Sequence, residues 1–184
     1  SSLGIIGLGR LGRMVAGYAI ALGMEVSFYD PFIDLKKIEP KWKDNIIRHR
    51  ELRDLVRHVD IVSVHVPHSL PTENLIDRNV FQEFKIGSYF INTARGELVD
   101  HEALLEALES KRLAGAALDV FENEFNPEFS IKTHELWSYF RANQNVILTP
   151  HIGGSTEDAW RLTEELTIDR VLERLRVRDD EIKR

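Results

Sequence analysis

The feature that most constrains this chain is its alternation of short, almost wholly apolar runs with segments of helical period. "LGIIGL" (residues 3–8), "MEVSFYD" (24–30), "DIVSVHVP" (60–67), "SYFINTA" (88–94), "LAGAALDVF" (113–121) and "NVILTPH" (145–151) read as strands. Between them, residues 11–22 carry Leu11, Val15, Tyr18, Ala19 and Leu22 at helical spacing. "RELRDLVRHV" (50–59), "RNVFQEF" (78–84) and "DHEALLEALESK" (100–111, with Asp100 as its cap) read as further helices, and a long helix closes the chain from about Ser155 to Arg178. Strands that are apolar on both faces need cover on both faces, which a parallel sheet with helices above and below provides. The expected fold is therefore α/β, a doubly wound, mostly parallel sheet in three α/β/α layers. The least regular stretch, residues 122–144, reads as a long loop, and long loops in compact domains are often functional.

The turn between the first strand and the first helix adds a chemical constraint. Gly7, Gly9 and Gly12 in "GLGRLG" fit G-x-G-x-x-G. The first glycine allows the tight turn, the second lets backbone approach a pyrophosphate, and the third lets helix and strand pack closely. The helix start, with Arg10 and Leu11, offers free N–H groups and a positive dipole end to phosphates. Asp30 follows at the end of the next strand, 18 residues after Gly12, where an acid accepts hydrogen bonds from an adenosine ribose. The pattern predicts a Rossmann-type dinucleotide-binding domain spanning residues 1–184. A carboxylate at Asp30 repels a 2′-phosphate, so NAD is expected over NADP.

Charge and composition exclude other classes. The net charge is −6 and there is no basic stripe, so a nucleic-acid partner is not expected. No apolar run reaches membrane-spanning length, and the chain opens directly in a core strand, so neither a membrane partner nor a leader is expected. There is no cysteine, which fits a reducing, cytoplasmic setting and removes thiolate chemistry. His65 and His68 in "HVPH" have no third ligand nearby, so no metal is expected. His65 is expected in the wall of the cofactor cleft, and His49, His58, His101 and His134 in polar, exposed surroundings.

"INTARGELVD", "GAALDVFENE" and "LTPHIGGST", in order behind "GIIGLGRLG" and "VSVHVP", resemble the NAD-dependent D-2-hydroxyacid dehydrogenases, with "TPHIGGST" closest to the branch acting on 3-phosphoglycerate. The resemblance implies a substrate-binding arginine at Arg95, a glutamate at Glu124 and a general acid/base at His151. The chemistry agrees with these roles. A guanidinium can hold a substrate carboxylate in a fork. An imidazole titrates near neutrality, and a carboxylate on its other nitrogen fixes the tautomer. The resemblance further implies cofactor contacts at Asp119, Pro67, Thr72, Thr93 and Gly153, a 2-hydroxy or 2-keto acid as substrate, and a homodimer.

Two departures from the family stand out. Where it commonly has proline after the glutamate, this chain has Phe125, followed by an aromatic-rich segment expected either to pack on itself or to alter a substrate entrance or subunit contact. The family also carries a substrate domain formed mainly ahead of the glycine loop, so this chain is expected to be the cofactor half of a longer enzyme. Its closing helix would return to the other half, and turnover by the chain alone would be low. The competing reading is an NAD(H)-sensing corepressor on the same fold. A methyltransferase would leave Arg95, Glu124 and His151 unexplained.

Overall fold

A computed structural model describes residues 1–33, 46–134 and 136–182, with side chains up to residue 176. It divides into two compact units, Ser1–Thr149 and Pro150–Arg184. The first holds a seven-stranded sheet: β1 (Ser2–Ile6), β2 (Glu25–Tyr29), β3 (Ile46–His49), β4 (Ile61–Val64), β5 (Ser88–Asn92), β6 (Leu113–Leu118) and β7 (Val146–Leu148). The order is β3-β2-β1-β4-β5-β6-β7 and every pairing is parallel, as the apolar runs predict. The order reverses between β1 and β4, and such a switch point opens a crevice beyond the carboxyl ends of the strands.

The alternation along β1 sorts two cores onto opposite faces of the sheet. Leu3 and Ile5 join Ala16 and Ala19 of α1 (Arg10–Ala21), with Val26 and Phe28. Ile6 faces the other way, into a larger core built with α2 (Leu52–His58), α3 (Arg78–Glu83) and α4 (His101–Glu109). Phe81, Phe84 and Phe90 meet there, with ring centroids 5.3 to 6.0 Å apart. Asp77 caps α3 by accepting the Val80 N–H at 2.8 Å, and Asp100 caps α4 by accepting the Ala103 N–H at 2.9 Å, the latter as the sequence predicts.

The structure corrects four sequence readings. α1 buries Gly12, Ala16 and Ala19, with Val15 packed partly behind them, while Leu11, Tyr18 and Leu22 are 52 %, 66 % and 80 % exposed. The helix lies too close to the sheet for large side chains beneath it. Strand β3, "IIRH", was not expected: it is a four-residue edge strand with two exposed positions, too short and too polar to stand out. The segment 122–144 is not a plain loop. It holds a 3-10 turn (Ile131–Thr133) and helix α5 (Leu136–Ala142), whose Leu136 is fully buried.

The fourth correction concerns histidine. His101 is only 4 % exposed and His134 is half-buried, both inside an aromatic cluster with Phe121, Phe129 and Phe140. Phe129 and Phe140 of the aromatic-rich segment thus pack on Phe121, a ring outside it, while Phe125 is 77 % exposed.

The second unit is one long helix, α6 (Glu157–Ile182), behind a short turn. It starts and ends within a few residues of the expected bounds. No helix among the described residues is long and apolar enough to cross a membrane.

Candidate functional site: a dinucleotide crevice at the strand ends

The glycine turn closes tightly after β1. Gly7 has a φ of 91°, in the left-handed region, and a Cβ there would lie 2.6 Å from Val66 Cγ1 and 2.8 Å from the His65 carbonyl oxygen. A Cβ on Gly12 would lie 2.1 Å from the Gly7 carbonyl oxygen. The fold itself therefore demands the first and third glycines. Gly9 is different: a Cβ there meets nothing within 4 Å, and its φ of −70° suits any residue. The open space lies over the start of α1, where Gly9 is the N-cap without a side-chain cap bond, and where the first-turn amides at Arg10 and Leu11 have no partner within the helix. A helix start with open space over a glycine suits a pyrophosphate.

Asp30 stands beside this turn. Its carboxylate accepts the Leu8 N–H at 2.9 Å through one oxygen and the Phe32 N–H at 2.9 Å through the other. The acid is thus held against the glycine turn at the end of β2. From β3, Arg48 donates to the Asp30 carbonyl oxygen at 3.0 Å. Sequence reading missed Arg48 because the strand that carries it was missed.

Across the switch point, His65 follows β4 and bonds the Ser63 hydroxyl through Nε2 at 2.9 Å. Burial pushes its pKa down. The loop beyond is closed by Thr72, whose hydroxyl donates to the Pro67 carbonyl at 2.8 Å and accepts the Ser69 N–H at 2.9 Å. The hydroxyl hydrogen of Thr72 is thus spent inside the loop, and a phosphate oxygen, which only accepts, would need that hydrogen turned away from Pro67.

The turn after β5 carries Thr93 and Arg95, both exposed. It is shaped by Asn92, fully buried, which accepts the Ala94 N–H at 3.0 Å and donates to the Arg95 carbonyl at 2.8 Å. The backbone carbonyl of Asn92 accepts the Asp119 N–H at 3.0 Å, which ties this turn to the end of β6. Asp119 is buried and its carboxylate accepts the Thr149 hydroxyl.

Gly96 then brings the two loops into backbone contact. A Cβ on it would lie 2.0 Å from the Phe121 carbonyl carbon and 2.1 Å from the Glu122 nitrogen. Glu124, three residues after Phe121, accepts the Phe121 N–H at 3.2 Å. Glu97 fastens the neighbourhood further: its carbonyl accepts the Asn74 N–H at 2.9 Å and its carboxylate the Asn123 N–H at 3.4 Å. Both asparagines have left-handed backbones, with φ of 49° and 56°. Asn92 and Glu97 are positioning residues that sequence reading missed, although a buried asparagine closing an apolar strand was the available signal.

The structure thus gathers Gly7, Gly9, Asp30, Pro67, Thr72, Thr93, Arg95, Asp119 and Glu124 onto turns and loops at the carboxyl ends of one sheet, with Arg10, Leu11 and Gly12 at the start of α1 beside them. His151 and Gly153 belong to the second unit. There His151 has a left-handed backbone with a φ of 53°, a conformation that L residues adopt sparingly.

Comparison with known proteins agrees with this geometry. Residues 1–153 match the model of the D-isomer specific 2-hydroxyacid dehydrogenase, NAD binding domain. D-3-phosphoglycerate dehydrogenase of Bacillus subtilis is 40 % identical over 158 residues, which cover 86 % of this chain and 28 % of that protein. Among solved structures, D-lactate dehydrogenase with NAD+ from Lactobacillus jensenii superposes with a TM-score of 0.80 at 33 % identity, over 91 % of this chain and 50 % of that one. D-lactate dehydrogenase from Aquifex aeolicus, complexed with NAD and lactic acid, gives 0.79 at 33 % identity, over 95 % and 53 %. The chain spans about a quarter to a third of the length of the curated relatives and about half of the solved chains. It belongs to the NAD-binding domains of the D-isomer-specific 2-hydroxyacid dehydrogenases.

Proposed function

We propose that this chain is the cofactor half of an enzyme that interconverts a D-2-hydroxy acid and its 2-keto acid, with 3-phosphoglycerate the first substrate to test. The observation that carries the reading is the backbone contact of Gly96 with Phe121 and Glu122, which sets the Arg95 and Glu124 loops side by side at the same sheet end as the glycine turn. Gly9, with open space that the protein does not fill, and Asp30, held beside it, suit the pyrophosphate and adenosine ribose of NAD. Bound there, NAD would accept or return the hydride.

The rest of the chemistry falls to side chains. Arg95 takes the substrate carboxylate in a two-point grip and polarises the adjacent carbonyl. His151 gives the proton to the oxygen that becomes a hydroxyl, and removes it in the reverse direction. Glu124 accepts a hydrogen bond from the imidazole, which fixes its tautomer and favours its protonated form. The strained backbone at His151 supports a functional role for that residue. Asp119 and Thr149 hold the end of β6 against the start of the segment that leads to His151. A homodimer and a cytoplasmic location complete the proposal, the latter suited to a cysteine-free chain.

The test is substitution of His151 with alanine in the intact enzyme carrying this domain. Turnover of 3-phosphoglycerate and of D-lactate should fall by at least about a thousandfold, while NADH affinity changes less than about threefold. Retained turnover would overturn the role of His151.

A further inference from the structure

The adenosine end of the crevice carries two groups of opposite charge. Asp30 is the expected partner of the ribose hydroxyls, and its carboxylate is pinned by the Leu8 and Phe32 amides at 2.9 Å each. Arg48 is the second group. It sits on β3, whose register pairs Arg48 with Phe28, two residues before Asp30. Its guanidinium reaches past the end of β2 to donate to the Asp30 carbonyl oxygen at 3.0 Å. The residue is exposed. A guanidinium has five N–H donors, and this single bond leaves most of its capacity unspent among the described residues. No carboxylate among the described residues pairs with it.

A cation in this place has a chemical consequence. A 2′-phosphate on the adenosine ribose adds close to two negative charges next to Asp30, which repels it. A guanidinium offers the planar, charge-assisted contact that phosphate oxygens prefer. A dinucleotide domain that takes a 2′-phosphate commonly supplies an arginine close to the ribose acid position. Here both elements are present together, the acid on β2 and the arginine one strand outward.

Resting on the assignment of this crevice to a nicotinamide dinucleotide, we propose that Arg48 is a specificity-determining residue placed to take the 2′-phosphate of NADPH, so that the preference for NADH rests on the Asp30 carboxylate alone. The chain then binds NADPH measurably but less tightly than NADH. Removing the negative charge of Asp30 narrows or reverses the preference without any new residue being added.

The experiment titrates the 184-residue chain with NADH and with NADPH, following nicotinamide fluorescence, for the native sequence, Arg48→Gln, Arg48→Lys, Asp30→Asn and the Asp30→Asn/Arg48→Gln double variant. Arg48→Gln should weaken NADPH about tenfold while moving NADH less than twofold, and Arg48→Lys should keep much of the NADPH affinity. Asp30→Asn should narrow or reverse the preference, and adding Arg48→Gln should remove that gain. The ratio of the two affinities within one variant is unaffected by partial loss of folded protein. If both cofactors bind the native chain and Arg48→Gln moves them equally, Arg48 is not a specificity residue. If the native chain binds neither, the crevice assignment falls and the proposal with it.

Discussion

The glycine turn, residues 7–12, and the segment from Asp119 to Asn145 both build the strand-end crevice, but by opposite means. In the turn the backbone does the work. Gly12 abuts the Gly7 carbonyl, Gly7 abuts the His65 carbonyl, and no side chain could replace a hydrogen at either place without moving main chain. In the later segment the side chains do the work. Phe121 lies 5.3 Å from His134, 6.2 Å from Phe129 and 6.3 Å from Phe140, and these rings seat the loop that ends in α5. A backbone-built site permits one residue type per position, whereas a ring-built one permits many packings of similar volume.

The hardest way to break the comparison is to put a methyl group at Gly12 in the turn and at Gly96, the glycine against which the later segment starts. Gly12→Ala and Gly96→Ala both drive a Cβ to about 2 Å from main chain, so each should cost about 3 kcal/mol or more, above the usual range for added core volume because the obstacle is backbone. The two should then separate by readout. Gly12→Ala should abolish NADH binding. Gly96→Ala should spare NADH within a few-fold while removing turnover in the intact enzyme, because it parts the Arg95 and Glu124 loops. Thermal unfolding and fluorescence titration of both variants settle the contrast. Equal loss of NADH in both would mean that the loops do not divide the labour this way.

The buried histidine gives the next largest effect. His101 has no hydrogen-bond partner for either ring nitrogen among the described residues, and burial, with the neighbouring His134 adding to it, pushes its pKa down to about 4. His134, 5.0 Å away by ring centroid, is shifted downward too, again by burial. The charged groups that bear on His101 are therefore His134 from the far segment and Asp100 from its own helix, the latter raising the pKa. A histidine whose folded pKa lies below its unfolded value of 6.5 stabilises the fold fully above pH 6.5. That stability is lost as the pH falls from 6.5 toward 4, where the folded protein also takes up the proton. At about 1.4 kcal/mol per pH unit, the loss amounts to about 3 kcal/mol. Replacing His101 with phenylalanine should flatten this part of the profile. Urea midpoints at pH 7.5, 6, 5 and 4.5 measure it, and an unchanged acid slope would show that the His101 cluster is not the acid-sensitive point.

This contrast also explains what could be read from the residues alone. The strands, the parallel sheet and the Gly7–Gly12 turn were legible because burial on both faces and backbone clearance leave their mark as composition and spacing. Asp100 was legible as a cap because the acceptor and the amide that it takes are three residues apart. The buried face of α1 was not legible, since periodicity marks Leu11, Tyr18 and Leu22, and only the contact at Gly12 dictates that small residues lie beneath. α5 was missed for a related reason. Its short "LWSYFRA" has no cap signal, and the ring that meets its Phe140 comes from Phe121, outside the helix and earlier in the chain. Glu97 escaped notice because its partners, Asn74 and Asn123, are backbone groups that only the fold brings near, whereas Asn92 binds groups two and three residues on and left a signal that went unread.

The smallest effect distinguishes a local backbone device from the ring cluster at one spot. Asp100 caps α4 through the Ala103 amide, and the next residue is His101. Two contributions meet in its carboxylate: the acceptor oxygen, a local term, and the negative charge, which raises the pKa of His101. Asp100→Ala removes both and should cost about 1 kcal/mol at pH 7.5, the usual worth of an N-cap. Asp100→Asn keeps the oxygen and drops the charge, so at pH 7.5, where His101 is neutral, it should cost no more than a few tenths of a kcal/mol. Toward pH 5 both variants should fall further behind the native chain by the same amount, because the charge that both lack begins to matter as His101 takes up a proton. Urea midpoints of both variants at the two pH values decide it. A deficit against the native chain that stays the same at both pH values in both variants would mean that Asp100 acts as a cap alone, and that the helix start and the ring cluster beside it are energetically separate.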